Sequence, residues 1–190
     1  MNKRFSSISN IYKKIISPVL KNDQGVDAEY LTNISLNILK FSSSKREWPI
    51  VNNAFQKISN ELCINSEKLT QNICGIEFIN PIGLAAGFDK NGIAANIWRD
   101  FGFGFSELGT VTKFPQPGNK KPRLFRLAKE QAALNRLGFN NNGSISLEDN
   151  LIKQKIKKAK DRKNICIGIN FGKSKITPLD KSTEDYLASL

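Results

Sequence analysis

The sequence lacks histidine altogether and has only three cysteines among its 190 residues, Cys63, Cys74 and Cys166. Without histidine, the chain cannot supply a Ser-His-Asp or Cys-His catalytic arrangement. The cysteines form no Cys-x-x-Cys pair, which argues against a disulfide framework or a Cys/His zinc site and favours a reducing compartment. No stretch approaches the ~20 apolar residues of a membrane-spanning helix. We also expect no cleaved signal peptide, because no long apolar core follows Lys3 and Arg4.

Negative charge is also scarce, since 17 acidic residues face 29 lysines and arginines and leave a net charge of +12. Such an excess suits an anionic partner, whether phosphate, nucleic acid or an anionic membrane surface, and it equally suits a lysine-rich solvated exterior. We interpret the lysines at 153–160 as a solvated helix face. A composition of 39% hydrophobic and 24% charged residues indicates a globular chain.

The first third of the chain favours short amphipathic helices. Over residues 8–20, apolar side chains recur every three or four positions, with lysines on the other side. A helix there would either lie in a membrane interface or pack on its own domain. Further helices are predicted at Asp27–Phe41 and Ala54–Leu62. The apolar face of the first of these comprises Tyr30, Leu31, Ile34, Ile38 and Phe41.

From about residue 69 the pattern changes to short strands. Leu69–Ile73 and Ile76–Ile79 flank Cys74-Gly75, which predicts a tight hairpin. The elements predicted next are a buried strand at Pro81–Ala86, a helix at Asn91–Phe101, a strand at Phe105–Val111, a helix from Ser146 as N-cap to about Lys160, a strand at Ile165–Asn170 and a helix at Thr183–Leu190. This alternation predicts an α/β fold of parallel strands, in which ligands bind at the strand C-terminal ends.

The stretch Asn80–Gly92 carries a polar cluster at the end of the first of these strands. Ala85-Ala86-Gly87 has no bulky side chain, so a flat or phosphorylated ligand could approach its backbone. Lys90 offers a cation to a substrate carboxylate or to a reduced cofactor. Asp89 and Lys90 could equally form a surface ion pair of little energetic weight.

Asparagines are concentrated shortly before the helix predicted at Ser146. Asparagine has both donors and acceptors, so this cluster could read a planar amide or imide ring, or it could simply serve turns. Its members are Asn135, Asn140, Asn141 and Asn142. No Walker A motif is present. Gly102-Phe-Gly104 lacks a third glycine and precedes its strand, which argues against a Rossmann site.

Seven motifs then occur in order, and together they resemble the dihydroorotate dehydrogenase family, in particular its quinone-dependent class 2. They are Asn80–Gly92, Phe101–Gly104, Glu107–Thr112, Pro115–Asn119, Lys121–Arg126, Asn135–Asn141 and Gly168–Asn170. The resemblance spans about residues 69–190. Residues 1–65 match more loosely, as the helical extension of class 2, so we expect that extension over 1–65 and the first part of a barrel over 66–190.

The resemblance implies a (β/α)8 TIM barrel that binds FMN at the C-terminal ends of its strands. It implies oxidation of dihydroorotate to orotate in pyrimidine biosynthesis, with a quinone as electron acceptor and no metal. The residues it assigns to FMN are Ala86, Gly87, Phe88, Asp89, Lys90, Thr110 and Asn170, and those it assigns to the substrate are Lys90, Asn135, Arg136, Leu137, Gly138 and Phe139. The N-terminal helices would form the quinone tunnel and hold the protein peripherally on the cytoplasmic face of the cell membrane.

The chain departs from the family in what it lacks. Class 2 members use a serine base in an Asn-x-Ser-x-Pro-Asn motif, and this sequence contains no such motif. A TIM barrel also needs eight strands and typically ~250 residues. We therefore expect an incomplete half-barrel, the N-terminal portion of a longer enzyme, that is inactive alone. The alternatives are a non-catalytic flavin- or phosphate-binding module of the same fold and a nucleic-acid-binding domain, the latter supported only by charge.

Overall fold

The computed structural model describes residue 14 and residues 27–127, 129–156 and 166–190. The amphipathic helix predicted at 8–20 lies outside the described residues except at residue 14, and so do residues 157–160 of the lysine-rich segment. Within the described ranges, no helix combines the length and the apolarity needed to cross a membrane.

Two helices precede the first strand. Helix α1 spans Ala28–Ser44 and begins where the Asp27 carboxylate accepts a hydrogen bond from the Tyr30 N–H at 3.0 Å, which is the usual role of an N-cap. Helix α2 spans Pro49–Leu62. It begins earlier than the predicted Ala54, because a proline at the first helical position has no N–H to leave unsatisfied.

The apolar face predicted for α1 exists, but most of it is exposed to solvent. Four of its side chains are 37–62% exposed, namely Tyr30, Ile34, Ile38 and Phe41. Leu36, on another side of the helix, is buried and belongs to a core cluster with Phe55 of α2, Ala94, Ile97 and Trp98. Helix α1 therefore packs through a side chain that the apolar periodicity did not select.

Strands β1 (Gln71–Ile73) and β2 (Ile76–Phe78) form an antiparallel hairpin after the helices. Its two turn residues, Cys74 and Gly75, have φ angles of 52° and 76°. Two positive φ angles are what a tight two-residue turn requires to match the twist of its strands. The predicted hairpin is confirmed.

A parallel sheet and a second antiparallel hairpin follow. The remaining strands are β3 (Gly83–Leu84), β4 (Phe105–Val111), β5 (Leu124–Leu127), β6 (Ala132–Asn135) and β7 (Ile167–Phe171). Strands β3, β4 and β7 form the parallel sheet with β4 in the middle, and β5 pairs with β6. In the part of the chain that is described, the sheet is open and has three strands, in agreement with an incomplete barrel.

Helices α3 (Ser144–Lys153) and α4 (Ser182–Leu187) follow β6 and β7. Leu147 of α3 packs with Ala95 and with Leu108 and Val111 of β4 in a second core cluster. Leu84 of β3 packs against the cluster that contains Leu36, so both clusters include side chains of the sheet. A tight contact sits at the entry to β4, where a Cβ on Gly104 would lie 2.1 Å from the Asn80 carbonyl oxygen.

The hairpin β5–β6 belongs to a long insertion between β4 and α3. Its base is closed by Gln116 and Asn141, whose N–H groups each donate to the other's carbonyl oxygen at 3.0 Å. We call residues 117–140, which lie between these two, the arm. The pairing of β5 with β6 was not predicted from the sequence.

Three further predicted elements differ from the structure. Asn91–Phe101 is not an α-helix but a series of turns that ends in a 3₁₀ helix at Trp98–Phe101. Helix α3 has Gly143 rather than Ser146 at its N-cap, because Gly143 there has a φ of 87° and its N–H donates to the Asn141 side chain at 2.8 Å. The strand predicted at Pro81–Ala86 is reduced to the two residues of β3.

Candidate functional site

The C-terminal ends of the three parallel strands meet at one edge of the sheet. The chain leaving β3 reaches Gly87, whose N–H donates to the Gly109 carbonyl of β4 at 2.7 Å. Gly87 has a φ of 107°, and no atom lies within 4 Å of where its Cβ would be. The backbone is therefore open on that side to a flat group, as the small residues of the motif predicted.

A hydrogen-bonded pair of side chains joins the ends of β4 and β7. The Thr110 hydroxyl donates to the Asn170 Oδ1 at 2.6 Å, and the Asn170 Nδ2 donates to the Glu107 Oε1 at 2.9 Å. Because both ends of the Asn170 amide are held, its orientation at the strand ends is fixed. Thr110 and Asn170, predicted separately for the cofactor, thus lie in contact.

Lys90 lies just beyond the end of β3 and is partly buried. Its ammonium group donates to the Asn140 Oδ1 at 2.6 Å. Burial lowers the pKa of Lys90 below its ordinary value, and the Glu29 carboxylate opposes this shift. Lys90 does not form the surface ion pair with Asp89 that the sequence also allowed, because Asp89 is turned into the protein.

The Asp89 carboxylate has a structural role, because it accepts hydrogen bonds from the turns that follow it. It accepts hydrogen bonds from the N–H groups of Ile93 and Ala94 at 2.8 and 3.0 Å and from the Trp98 indole at 3.2 Å. The side chain is only 1% exposed, and burial raises the pKa of Asp89 while these three donors oppose the rise. A contact of Asp89 with a cofactor would therefore have to use its backbone.

The first cavity, which we call the arm cavity, lies between the strand ends and the arm and has a volume of about 390 Å³. It gathers every residue predicted for the substrate and four predicted for FMN. Its lining consists of Ala86, Gly87, Lys90, Thr110, Asn119, Asn135, Arg136, Leu137, Gly138 and Phe139. Residues separated by some 50 positions in the sequence thus form one chamber, with Lys90 facing the arm.

Not every residue of that lining offers its polar group to the cavity. The Arg136 guanidinium donates to the Pro122 carbonyl at 3.3 and 3.1 Å and stacks over the Phe125 ring. Its charge is therefore directed to the hairpin β5–β6. The Arg136 carbonyl accepts a hydrogen bond from the Asn119 side chain at 2.8 Å, which ties this wall to the base of the arm.

A second cavity, the helix cavity, lies between α1 and the strand ends and has a volume of about 280 Å³. Helix α1 contributes Glu29, Thr32, Asn33 and Leu36 to its lining, and Phe88 also lines it. The helix cavity and the arm cavity share three residues, which are Gly87, Lys90 and Leu137. Lys90 is thus the charged residue common to both.

The asparagine cluster divides between its two predicted roles. Asn141 is buried and makes a turn, since its Oδ1 accepts from the N–H groups of Thr112 at 3.2 Å and Gly143 at 2.8 Å. Asn135 lines the arm cavity, and Asn140 lines the helix cavity and contacts Lys90. No cluster of metal-ligating side chains occurs in the described ranges.

Sequence reasoning missed Glu29, Glu107 and Arg123 as parts of this region. Arg123 is 7% exposed and donates to both Glu29 carboxylate oxygens, so α1 is tied to the arm by a bidentate pair. The partners lie 94 positions apart. No local sequence pattern indicates such a pair, because its two members come together only in the folded chain.

Comparisons with known proteins agree with the motifs. The family model described as dihydroorotate dehydrogenase matches residues 68–190. The chain is 50% identical over 184 residues to the dihydroorotate dehydrogenase (quinone) of Prochlorococcus marinus (strain MIT 9313), covering 97% of this chain and 47% of that protein. It is 49% identical to the protein of the same name from Trichormus variabilis, covering 95% and 46%.

Solved structures show the same likeness. A structure of DHODH from Eimeria tenella in complex with ferulenol superimposes with a TM-score of 0.69 at 33% identity, covering 90% of this chain and 42% of that one. A ligand-free DHODH from the same organism superimposes with a TM-score of 0.60 at 36% identity, covering 80% and 40%. The chain spans about half the length of the curated relatives it matches.

Proposed function

The chain belongs to the dihydroorotate dehydrogenase family, and from this premise we propose that it carries the flavin- and substrate-facing part of a quinone-dependent enzyme that oxidises dihydroorotate to orotate. The arm cavity carries this proposal, because it brings Lys90 to face the segment Asn135–Phe139 across one chamber. A partly buried ammonium opposite an asparagine suits a substrate that has a carboxylate and a ring imide.

FMN fits the strand ends. The open backbone at Gly87 accepts a flat ring, and the paired side chains of Thr110 and Asn170 present fixed polar groups beside it. Ala86, Phe88, Asp89 and Lys90 would complete the contacts, with Asp89 contributing its backbone. When bound, FMN supplies the acceptor for the electrons removed from the substrate.

Lys90 would bind and orient the substrate. The Glu29 carboxylate opposes the lowering of the Lys90 pKa by burial and so favours the ammonium form, and a charged donor in a partly buried site holds a carboxylate more firmly than one in water. Asn135 on the arm would then hydrogen-bond the ring, and Phe139 would cover it. The proton lost on oxidation needs a base, and the Asn-x-Ser-x-Pro-Asn motif that provides it in this class is absent from the sequence. We therefore propose that this chain alone does not turn over dihydroorotate.

The helix cavity is the proposed approach of the quinone. It lies between α1 and Lys90, and α1 carries its exposed apolar side chains on another side, away from the residues that line this cavity. Tyr30, Ile34, Ile38 and Phe41 form a stripe suited to a membrane interface. The stripe supports a peripheral membrane contact, and we propose that residues 1–65 make this contact on the cytoplasmic face of the cell membrane.

A non-catalytic flavin- or phosphate-binding module of the same fold is the second candidate, and the open backbone at Gly87 suits it equally well. The two candidates share the strand-end site but differ in turnover. If the module hypothesis holds, flavin binds without reduction by dihydroorotate, even when the chain is joined to the rest of a barrel.

A chimera tests the proposal. Residues 1–190 replace the matching segment of the Prochlorococcus marinus relative, which is 50% identical to this chain over 184 residues. We expect the chimera to bind FMN and to reduce a quinone when dihydroorotate is added. Lys90→Met should lower kcat/KM about 10- to 100-fold, as expected for loss of a charged hydrogen bond, whereas Lys68→Met in the 3₁₀ helix Glu67–Leu69 should not change it. A flavin-loaded chimera without turnover refutes the enzyme proposal.

A further inference from the structure

Glu29 is anchored where α1 meets the arm. Its side chain is 12% exposed. The Arg123 guanidinium donates hydrogen bonds to both of its carboxylate oxygens, and the distance from Nε to Oε2 is 2.8 Å. Arg123 is held in turn by the carbonyl oxygens of Pro117 at 2.5 Å and Asn119 at 2.9 Å. The Lys121 ammonium adds a longer contact of 3.6 Å to the same carboxylate. The position of the Glu29 carboxylate is therefore set from several directions.

Asn140 joins this carboxylate to Lys90. Its Nδ2 donates to the Glu29 Oε1 at 3.3 Å, and its Oδ1 accepts from the Lys90 ammonium at 2.6 Å. A carboxylate can only accept, so it selects the NH₂ end of the Asn140 amide and leaves the oxygen end for the lysine. If the amide were reversed, its NH₂ group would face the ammonium donors and the contact with Lys90 would be lost.

We propose that Glu29 is a positioning residue for Lys90 and acts through the orientation of the Asn140 amide. The inference rests on the proposed function for the role of Lys90 in substrate binding, but the contacts themselves do not depend on it. A lysine side chain has a flexible four-carbon stem and loses rotamer entropy when it is held, so a fixed acceptor is needed to keep the ammonium in one place. In this structure the N-terminal helix, and not the sheet, determines that acceptor.

The charge of Glu29 acts in the same direction as its geometry. The charged groups that face Lys90 are Glu29 from α1 and Arg123 from the arm. Burial and Arg123 lower the pKa of Lys90, and Glu29 raises it. Removing the carboxylate would therefore both release the ammonium from Asn140 and favour its neutral, nucleophilic form.

Competitive labelling of the 190-residue chain with a trace of acetic anhydride tests this inference. Mass spectrometry gives the acetylation rate of Lys90 relative to Lys68 and Lys153 in the same sample. We expect Glu29→Gln to raise the relative rate of Lys90 about 3- to 10-fold, and Glu77→Gln on β2 to leave it unchanged. A rate for Glu29→Gln within about twofold of the unsubstituted chain overturns the proposal.

Asn140→Leu distinguishes two roles of Glu29, namely positioning Lys90 through Asn140 and holding α1 to the arm through Arg123. This variant keeps the pair of Glu29 and Arg123 intact, so it leaves α1 held to the arm and removes only the link to Lys90. We expect it to raise the Lys90 rate, and the double variant to raise that rate by less than the product of the two single effects, because both substitutions release the same ammonium contact and only Glu29→Gln also removes the charge. The proposal that Glu29 acts on Lys90 through Asn140 is refuted if Asn140→Leu leaves the Lys90 rate unchanged. It is also refuted if the rate increase in the double variant equals the product of the two single increases.

Failure of this inference can be told apart from failure of the proposed function. Labelling needs neither flavin nor dihydroorotate, so it reports on the positioning of Lys90 alone. In the active chimera, Glu29→Gln should raise the KM for dihydroorotate about 3- to 10-fold with a smaller change in kcat, because a displaced Lys90 weakens ground-state binding. If the chimera proves inactive while Glu29→Gln still raises the acetylation rate of Lys90, the proposed function is refuted and the positioning role of Glu29 is not.

Discussion

Replacing Asp89 by asparagine should destabilise the fold, although the change only exchanges one oxygen for an NH₂ group. The carboxylate accepts from two backbone N–H groups, of Ile93 and Ala94, and from the Trp98 indole. Asparagine offers one oxygen where aspartate offers two. The oxygen can stay at the Oδ2 position, which serves Ala94 and Trp98, and the Ile93 N–H then faces a donor.

The magnitude follows from this count. One buried donor left unsatisfied costs about 1–3 kcal/mol, and the two hydrogen bonds that remain lose the strength that a charged acceptor gave them. The asparagine regains part of this cost, because the desolvation that raises the pKa of Asp89 no longer applies. We expect a net loss of about 2 kcal/mol, or roughly 30-fold in the folding equilibrium.

Urea unfolding followed by tryptophan fluorescence measures this loss. Trp98 is 4% exposed and touches the site of substitution, whereas Trp48 is 52% exposed. A Trp48→Phe background therefore leaves Trp98 as the single reporter. Asp100→Asn is the matched control, because Asp100 is 17% exposed and pairs at 2.7 Å with Arg46, which is 37% exposed, and the asparagine keeps one oxygen for Arg46, so we expect a loss of about 1 kcal/mol or less. If Asp89→Asn unfolds within about 0.5 kcal/mol of its parent, the carboxylate does not hold the turns at 93–98 and the reasoning is wrong.

Three further outcomes are expected. Gly104→Ala should cost about 3 kcal/mol or more in urea unfolding and Gly87→Ala only about 1 kcal/mol, since a Cβ meets backbone at Gly104 and open space at Gly87; equal costs would contradict this. Arg123 holds the pKa of Glu29 below its ordinary value of 4.5, so the stability that this pair adds is present above about pH 4.5 and lost as the pH falls through the folded-state pKa. The difference in unfolding free energy between the unsubstituted chain and Glu29→Gln should shrink on acidification, and a constant difference would refute the pairing. The purified 190-residue chain should retain little flavin and reduce no dye with dihydroorotate; stoichiometric flavin with dye reduction would show the opposite.

Local sequence patterns predicted the elements that local chemistry determines. Strand β4 occupies the predicted residues Phe105–Val111, and the hairpin at Cys74-Gly75 was recognisable from its turn. The region Asn91–Phe101 was misjudged for a physical reason. Its apolar residues have helical spacing, yet the Asp89 carboxylate draws two of its N–H groups into turns.

Long-range partners could not be predicted in the same way. The face of α1 that packs inward is chosen by the surface it meets, and the apolar stripe that begins at Tyr30 faces solvent instead. The motifs identified Lys90 and Asn135–Phe139 as parts of a site, and the fold places them around one cavity. Glu29 was missed because its significance lies in Arg123 and Asn140, each about a hundred positions away.

The arm makes this fold modular. Among the described residues, its strands β5 and β6 pair only with each other, and its base is closed by the two hydrogen bonds between Gln116 and Asn141. A segment whose two ends are paired at its base can change in length and sequence while the register of β3, β4 and β7 stays the same. Gln116 and Asn141 are therefore natural joints for exchanging the arm, and such an exchange would replace one whole wall of the arm cavity while keeping the strand ends that form the other.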